Sequence, residues 1–219
     1  MLMYKYILFD LDGTLTDSAE GITKCVQYAL KALGVDEPDL NNLRPFIGPP
    51  LVECFMNLYG FTKEQADFGT VKYRERYHDT GIYENKVYPG VPEMLAQLKA
   101  HNLRLAVATS KPLVFARRVT DYFNLTQYFD CICGPDLSGS HLPAKADVIA
   151  DAMHKLGVCD KSQVLMIGDR RQDVIGAQKC GVACAGALYG YGRRKELADA
   201  GCTIFAETPQ DIVKLICGE

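Results

Sequence analysis

The chain has 219 residues, 48% hydrophobic and 23% charged, an ordinary globular composition that excludes a disordered chain and allows a buried core plus a smaller second unit. Its formal net charge is -3, with acidic and basic side chains interspersed, so whole-chain electrostatics offer no basis for a nucleic-acid polymer as partner. No apolar run reaches the length that crosses a bilayer.

In chain order, residues 4–9 form an apolar and aromatic run ending at Asp10, which reads as a buried strand followed by the loop LDGTLTDS. Asp17 or Ser18 can cap a helix carrying Ile22, Val26, Ala29, Leu30 and Leu33 at helical spacing, with Gly34 past its end. A connection over 38–50 leads to a second helical run near 51–58, closed by Gly60. A third run starts near Thr62 and carries Phe68, Val71, Tyr73 and Tyr77. No β-rich run occurs between Ala19 and Tyr83, so this stretch reads as a small helical insert. After Tyr88-Pro89-Gly90, helices at 92–100, 113–123, 144–156, 173–180, 194–200 and 209–216 alternate with strands at 103–109, 128–132, 164–167, 182–185 and 203–205. That alternation predicts an α/β fold: a Rossmann-like, mostly parallel sheet with helices on both faces, plus an inserted α-helical cap. The expected division is a core of 1–15 with 88–219, and a cap of 16–87.

Nine cysteines, an odd count, show no C-x2-C spacing, which argues against a zinc ribbon or a dithiol redox motif. The opening MLMYKYILF runs directly into DLDGT and reads as a core strand rather than a leader. Mostly buried free thiols and a cytoplasmic location are expected. His78, His101, His141 and His154 lack ligand spacing and read as surface or packing residues. Tyr73, Tyr77, Tyr83 and Tyr88 read as core and hinge packing.

In parallel α/β sheets, ligands bind beyond the carboxyl ends of the strands, and the reactive side chains gather at those ends. Asp10 and Asp12 sit two apart, on one side of an extended chain, before a Gly13 turn whose amides can surround an anion. Such a pair can divide nucleophilic attack on phosphorus from acid–base work; an Asx-rich turn is the plainer reading. Thr109 and Ser110 can donate hydrogen bonds to phosphoryl oxygens and Lys111 can add positive charge, although Ser or Thr after a strand often only caps a helix. Lys145 opens a helix, a position the helix dipole disfavours for a cation unless it faces an anionic centre. Asp169 and Asp173, four apart after the strand VLMI, supply hard oxygen ligands and with Asp10 suit a hard cation such as Mg2+. A helix cap with an acidic first turn explains that pair equally well in isolation.

Taken together, DLDGTLTDS at 10–18, VATS at 107–110, Lys145 in PAKADVI and IGDRRQD at 167–173 resemble the haloacid dehalogenase-like hydrolases, in the branch with a helical cap inserted after the first motif. The resemblance implies a Mg2+-dependent phosphatase acting on small phosphate monoesters. Asp10 would form an aspartyl-phosphate, and Asp12 would protonate the leaving group and then activate water. Thr109 and Lys145 would hold the phosphoryl group, and Mg2+ would be bound by Asp10, the Asp12 carbonyl and Asp169, with Asp173 either a further ligand or a support behind them. Dehalogenase members usually lack the second Asp of DxD, so Asp12 favours phosphoryl chemistry.

IGPPL at 47–51 and YGYG at 189–192 resemble phosphoglycolate phosphatases and 5'-nucleotidase-like phosphatases, with a phosphoglycolate-like substrate favoured and a nucleoside monophosphate as the alternative. The segment SGSHLPAKADVI lacks an arginine that many relatives carry shortly before the lysine. Arg44 in the insert is a candidate reader of an anionic leaving group; a solvated surface arginine is the plainer reading. A phosphomutase and a non-catalytic phosphate-binding protein are the remaining alternatives. The expected partner is a small phosphate ester, not a nucleic-acid polymer or a membrane, and the expected state is a monomer or homodimer.

Overall fold

The structure is a computed structural model that describes residues 3–137 and 144–218. Two compact units emerge: one runs through Thr16 and resumes at Val87, and the other is Asp17–Lys86.

The first unit is built on β1 (Tyr6–Phe9), whose four side chains are all buried. The chain leaves this unit through β2 (Thr16–Asp17) and returns through β3 (Lys86–Val87), two-residue strands that form a ribbon of their own. The insert between them carries α1 (Ala19–Ala32), α2 (Leu51–Tyr59) and α3 (Lys63–Arg76). Beyond it come α4 (Val91–Ala100), β4 (Arg104–Ala108), α5 (Leu113–Tyr122), β5 (Cys131–Cys133), α6 (Lys145–Leu156) and β6 (Val164–Gly168). The chain finishes with α7 (Arg171–Cys180), β7 (Ala183–Ala187), α8 (Arg194–Asp199), β8 (Ile204–Ala206) and α9 (Pro209–Cys217).

The main sheet has the order β5-β4-β1-β6-β7-β8, and every pairing is parallel. Counted along the core alone, this is third-second-first-fourth-fifth-sixth, the order of a doubly wound nucleotide-binding fold. β1 is central: Phe9 is level with Val107 on one side and with Ile167 on the other. The strand order reverses beside it, and the crevice at such a reversal is where these folds bind ligands. The α/β reading therefore stands. Strands such as YILF and VLMIG are continuous apolar runs because helices cover both faces of a parallel sheet.

The helical unit starts at α1, where the Asp17 carboxylate rather than the Ser18 hydroxyl accepts from the first helical amide, Ala19 N, at 3.3 Å. Its buried stripe includes Ile22, Cys25, Val26, Ala29 and Leu30, as helical spacing predicts. Thr62 and Gln65 close a reciprocal capping box at the start of α3.

Local expectations need correction in three places. The 38–50 connection contains a 3-10 helix over Leu40–Phe46, begun by the Asp39 carboxylate accepting from Asn41 N at 2.9 Å. The strand expected at 128–132 starts at Cys131, because a 3-10 turn occupies Thr126–Tyr128. Tyr83, read as packing, is 42% exposed.

Five of the nine free cysteines are buried and Cys159 is exposed. His78 and His154 are exposed and His101 is half-buried. Residues 138–143, which include His141 and most of the stretch before Lys145 singled out for its lack of an arginine, lie outside the described residues. Among the described residues, no helix is long and apolar enough to cross a membrane.

Candidate active site

The loops leaving β1, β4 and β6, together with the start of α6, bring the charged residues together. The Asp10 amide donates to Ile167 O at 2.9 Å, which continues the β1–β6 ladder one residue past the strand and fixes the side chain at the sheet's carboxyl edge. The chain then tightens: Leu11 O accepts from the amides of Thr14, Leu15 and Thr16 at 3.2, 2.9 and 3.0 Å. Gly13 sits at φ +89°, and a Cβ there would stand 2.3 Å from Asp169 Oδ2. Glycine is thus required twice, for the left-handed backbone and for the carboxylate pressed against it. The Gly13 amide, expected from the sequence to face an anion, donates to Thr16 O at 2.8 Å.

Asp10, Asp169 and Asp173 are buried, and their carboxylates offer oxygens that all lie within 4.8 Å of one another. Lys145, at the first turn of α6, reaches into this group: its Nζ stands 2.9 Å from Asp10 Oδ1 and 2.7 Å from Asp173 Oδ1. The anionic centre that makes a helix-start lysine favourable is therefore present. Burial alone would drive the Lys145 ammonium toward its neutral form, but Asp10 and Asp173 outweigh it and raise its pKa above the ordinary lysine value. Burial likewise pushes Asp173 up to about 6 despite the opposing pull of Lys145. Asp169 is held well above the carboxylate range, first by burial and then by repulsion from Asp173 and Asp10.

One ammonium facing three crowded carboxylates leaves negative charge in a place that resists it. A divalent cation suits both the excess charge and the all-oxygen donor set, so the residues present fit such an ion.

Asp12 stands apart from this triad. Both of its carboxylate oxygens accept from Lys111 Nζ, at 3.0 and 2.8 Å. Lys111, read from sequence as a phosphate contact, is thus paired with Asp12. Thr109 is almost fully buried; its amide donates to Cys133 O at 3.0 Å and its hydroxyl accepts from Lys111 N at 3.2 Å. Ser110 is exposed. Arg44 belongs to the helical unit and is exposed on the 3-10 helix there.

The sequence did not single out the two groups that hold Asp169. The Thr14 hydroxyl donates to Oδ1 at 3.1 Å, and the Tyr191 amide donates to Oδ2 at 2.9 Å. Thr14 carried a signal, as the last residue of the DxDGT turn. A backbone amide carries none.

A doubly wound sheet with a buried aspartate cluster and a lysine at its switch point is a hydrolase core that supports phosphatase activity. The family model for haloacid dehalogenase-like hydrolases matches residues 7–187, and the chain belongs to that family. It is 49% identical over 196 residues to a 5'-nucleotidase of Pseudomonas aeruginosa, covering 90% of this chain and 88% of that protein. It is 32% identical over 213 residues to a phosphoglycolate phosphatase of Aquifex aeolicus, covering 97% and 96%. Among solved structures, a predicted phosphatase from Clostridium acetobutylicum superimposes with a TM-score of 0.93 at 44% identity, over 99% of this chain and all of that one.

Proposed function

We propose that the protein is a Mg2+-dependent phosphatase that hydrolyses small phosphate monoesters through an aspartyl-phosphate on Asp10. The observation that carries this reading is the convergence of Asp10, Asp169 and Asp173 around Lys145 at the sheet's reversal point.

In this reading Asp10 attacks phosphorus through one carboxylate oxygen, and the ester oxygen leaves with a proton from Asp12. Asp12 then takes a proton from the water that cleaves the acyl phosphate. Lys145, permanently charged between Asp10 and Asp173, holds the nucleophile's orientation and offsets charge on the transferring group. Thr109, Ser110, Lys111 and Gly13 are proposed to line the phosphoryl site, with Lys111 turning from Asp12 toward the incoming anion. Asp10, Asp169, Asp173 and the Asp12 carbonyl would hold Mg2+, which when bound neutralises charge on the phosphoryl oxygens. The helical unit, Asp17–Lys86, is proposed as the cap that contacts the leaving group, with Arg44 a candidate contact.

For the substrate, the sequence motifs favour phosphoglycolate, which relatives at 32%, 31% and 28% identity support. We place a nucleoside 5'-monophosphate ahead of it on the strength of the 5'-nucleotidase with 49%. The test is phosphate release with Mg2+ from nucleoside monophosphates, phosphoglycolate and sugar phosphates, with Asp10→Asn as the blank. A kcat/KM for one nucleotide at least tenfold above the others supports the reading. A preference for phosphoglycolate reverses the substrate order, and turnover retained by Asp10→Asn removes the nucleophile.

A further inference from the structure

The turn after β7, Tyr189-Gly190-Tyr191-Gly192, supplies the Tyr191 amide to Asp169, and the whole turn is built against that residue. Leu188 N donates to Ala206 O at 2.8 Å and so ties the start of the turn to β8. The two glycines let the turn lie directly on its neighbour. A Cβ at Gly190 would stand 2.2 Å from Gly13 O and 2.5 Å from Asp169 Cβ, and one at Gly192 would stand 1.7 Å from Asp169 O. Any side chain at either place would drive the turn off the aspartate.

Two polar routes run from this turn to the carboxylate. The direct one is the Tyr191 amide on Asp169 Oδ2, at 2.9 Å. The indirect one starts at the Tyr189 hydroxyl, which donates to Thr14 O at 3.1 Å, while the Thr14 hydroxyl donates to Asp169 Oδ1 at 3.1 Å. Thr14 is fully buried, so its rotamer is set by these partners. The Tyr189 ring is itself steadied edge-on by Tyr88, with centroids 5.3 Å apart. Each Asp169 oxygen therefore receives one donor and keeps acceptor capacity for a cation.

We propose that Tyr189 is a positioning residue for cation binding: its hydroxyl locks the Asp12–Thr14 turn and, through Thr14, the orientation of the Asp169 carboxylate. The inference rests on the cation-binding reading above. Mutating groups that orient metal ligands typically costs about 10- to 100-fold in metal affinity or activity.

The test is Tyr189→Phe in the full chain, which removes one hydroxyl and keeps the ring contact with Tyr88. Mg2+ binding is measured by titration calorimetry without substrate, alongside the Mg2+ dependence of phosphate release and urea unfolding in EDTA. The expected result is a Mg2+ Kd raised about tenfold, the lower end for groups that orient metal ligands, kcat within about twofold of wild type once Mg2+ saturates, and an almost unchanged urea midpoint. Thr14→Val should raise Kd at least as much, and the double variant should add little, because both substitutions break one route.

A wild-type Kd in Tyr189→Phe, with or without lower stability, overturns the proposal and leaves the phosphatase reading intact. So does a kcat loss that saturating Mg2+ fails to restore. A wild-type protein that releases phosphate without binding Mg2+ overturns both readings together.

Discussion

Lys111 Nζ bridges both carboxylate oxygens of Asp12, with only 6% and 14% of the two side chains exposed. The two residues are 99 positions apart and are brought together by the pairing of β1 with β4. Removing the cation strands a nearly buried carboxylate. Lys111→Met should therefore lower stability by about 1–3 kcal/mol and lower kcat more than it raises KM. Urea titration and steady-state kinetics measure the two effects. Unchanged kcat would confine Lys111 to a structural role.

Asp169 illustrates the opposite case, a group that weakens the fold it serves. Its folded pKa lies well above the ordinary value, through burial and then the nearby Asp173 and Asp10. Its contribution to stability is therefore present below the unfolded pKa and lost as pH rises through the folded one. Asp169→Asn should raise the neutral-pH melting temperature in EDTA by about 2–4 °C, since the Thr14 hydroxyl can turn to accept from the new amide. That gain should shrink toward pH 4, and the Mg2+-induced rise expected of the wild type should be absent from the variant. Thermal melts at two pH values, with and without Mg2+, decide it.

In the helical unit, Glu84 accepts from Arg76 at 2.6 and 3.0 Å and from Lys24 at 3.2 Å. The Arg76 hydrogen bonds hold the Glu84 carboxyl below its ordinary value, against the opposing effect of burial. A depressed folded pKa contributes stability above the unfolded value and loses it as pH falls through the folded one. Glu84→Gln should cost about 1 kcal/mol at pH 7 and flatten the decline in stability below about pH 4.5. Urea midpoints from pH 3 to 7 provide the comparison.

Gly13→Ala places a methyl group 2.3 Å from Asp169 Oδ2 at a backbone φ of +89°. The left-handed backbone alone costs about 1–2 kcal/mol, and Asp169 must move as well. The expected outcome is at least a tenfold loss of kcat and a weaker rise in melting temperature on adding Mg2+. Retained Mg2+ stabilisation would mean that Asp169 has room to shift.

How much of this was legible beforehand depended on how local each cause was. β1 and β6 announce themselves as short apolar runs, and each is followed within a few residues by its aspartates, so sequence alone placed Asp10, Asp169 and Asp173 at one sheet edge. Lys145 was readable because a cation at a helix start conflicts with the helix dipole and calls for an anionic neighbour. The ribbon of Thr16–Asp17 with Lys86–Val87 was not readable: two residues per strand are too few to show alternation. The same holds for the pairing of Lys111 with Asp12, where the nearness of a phosphate-binding candidate to a carboxylate is a tertiary fact. In the sequence Gly13 reads as a turn whose amides could surround an anion, whereas the closer constraint on it is the Asp169 side chain.

The sheet order also governs when this molecule can take shape. β1 is made well before both of its neighbours, which start at Arg104 and Val164. At a synthesis rate of roughly 5–20 residues per second, the strand bearing Asp10 emerges about 8–30 s before β6 exists to pair with it. The helical unit, contiguous from Asp17 to Lys86, meets no such delay and has all its own residues in hand first. The nascent chain thus carries the hydrophobic strand YILF without a neighbour until β4 is made, and with a neighbour on one side only until β6 follows. The loops that bear the reactive aspartates stay apart until the second half of the sheet arrives to join them.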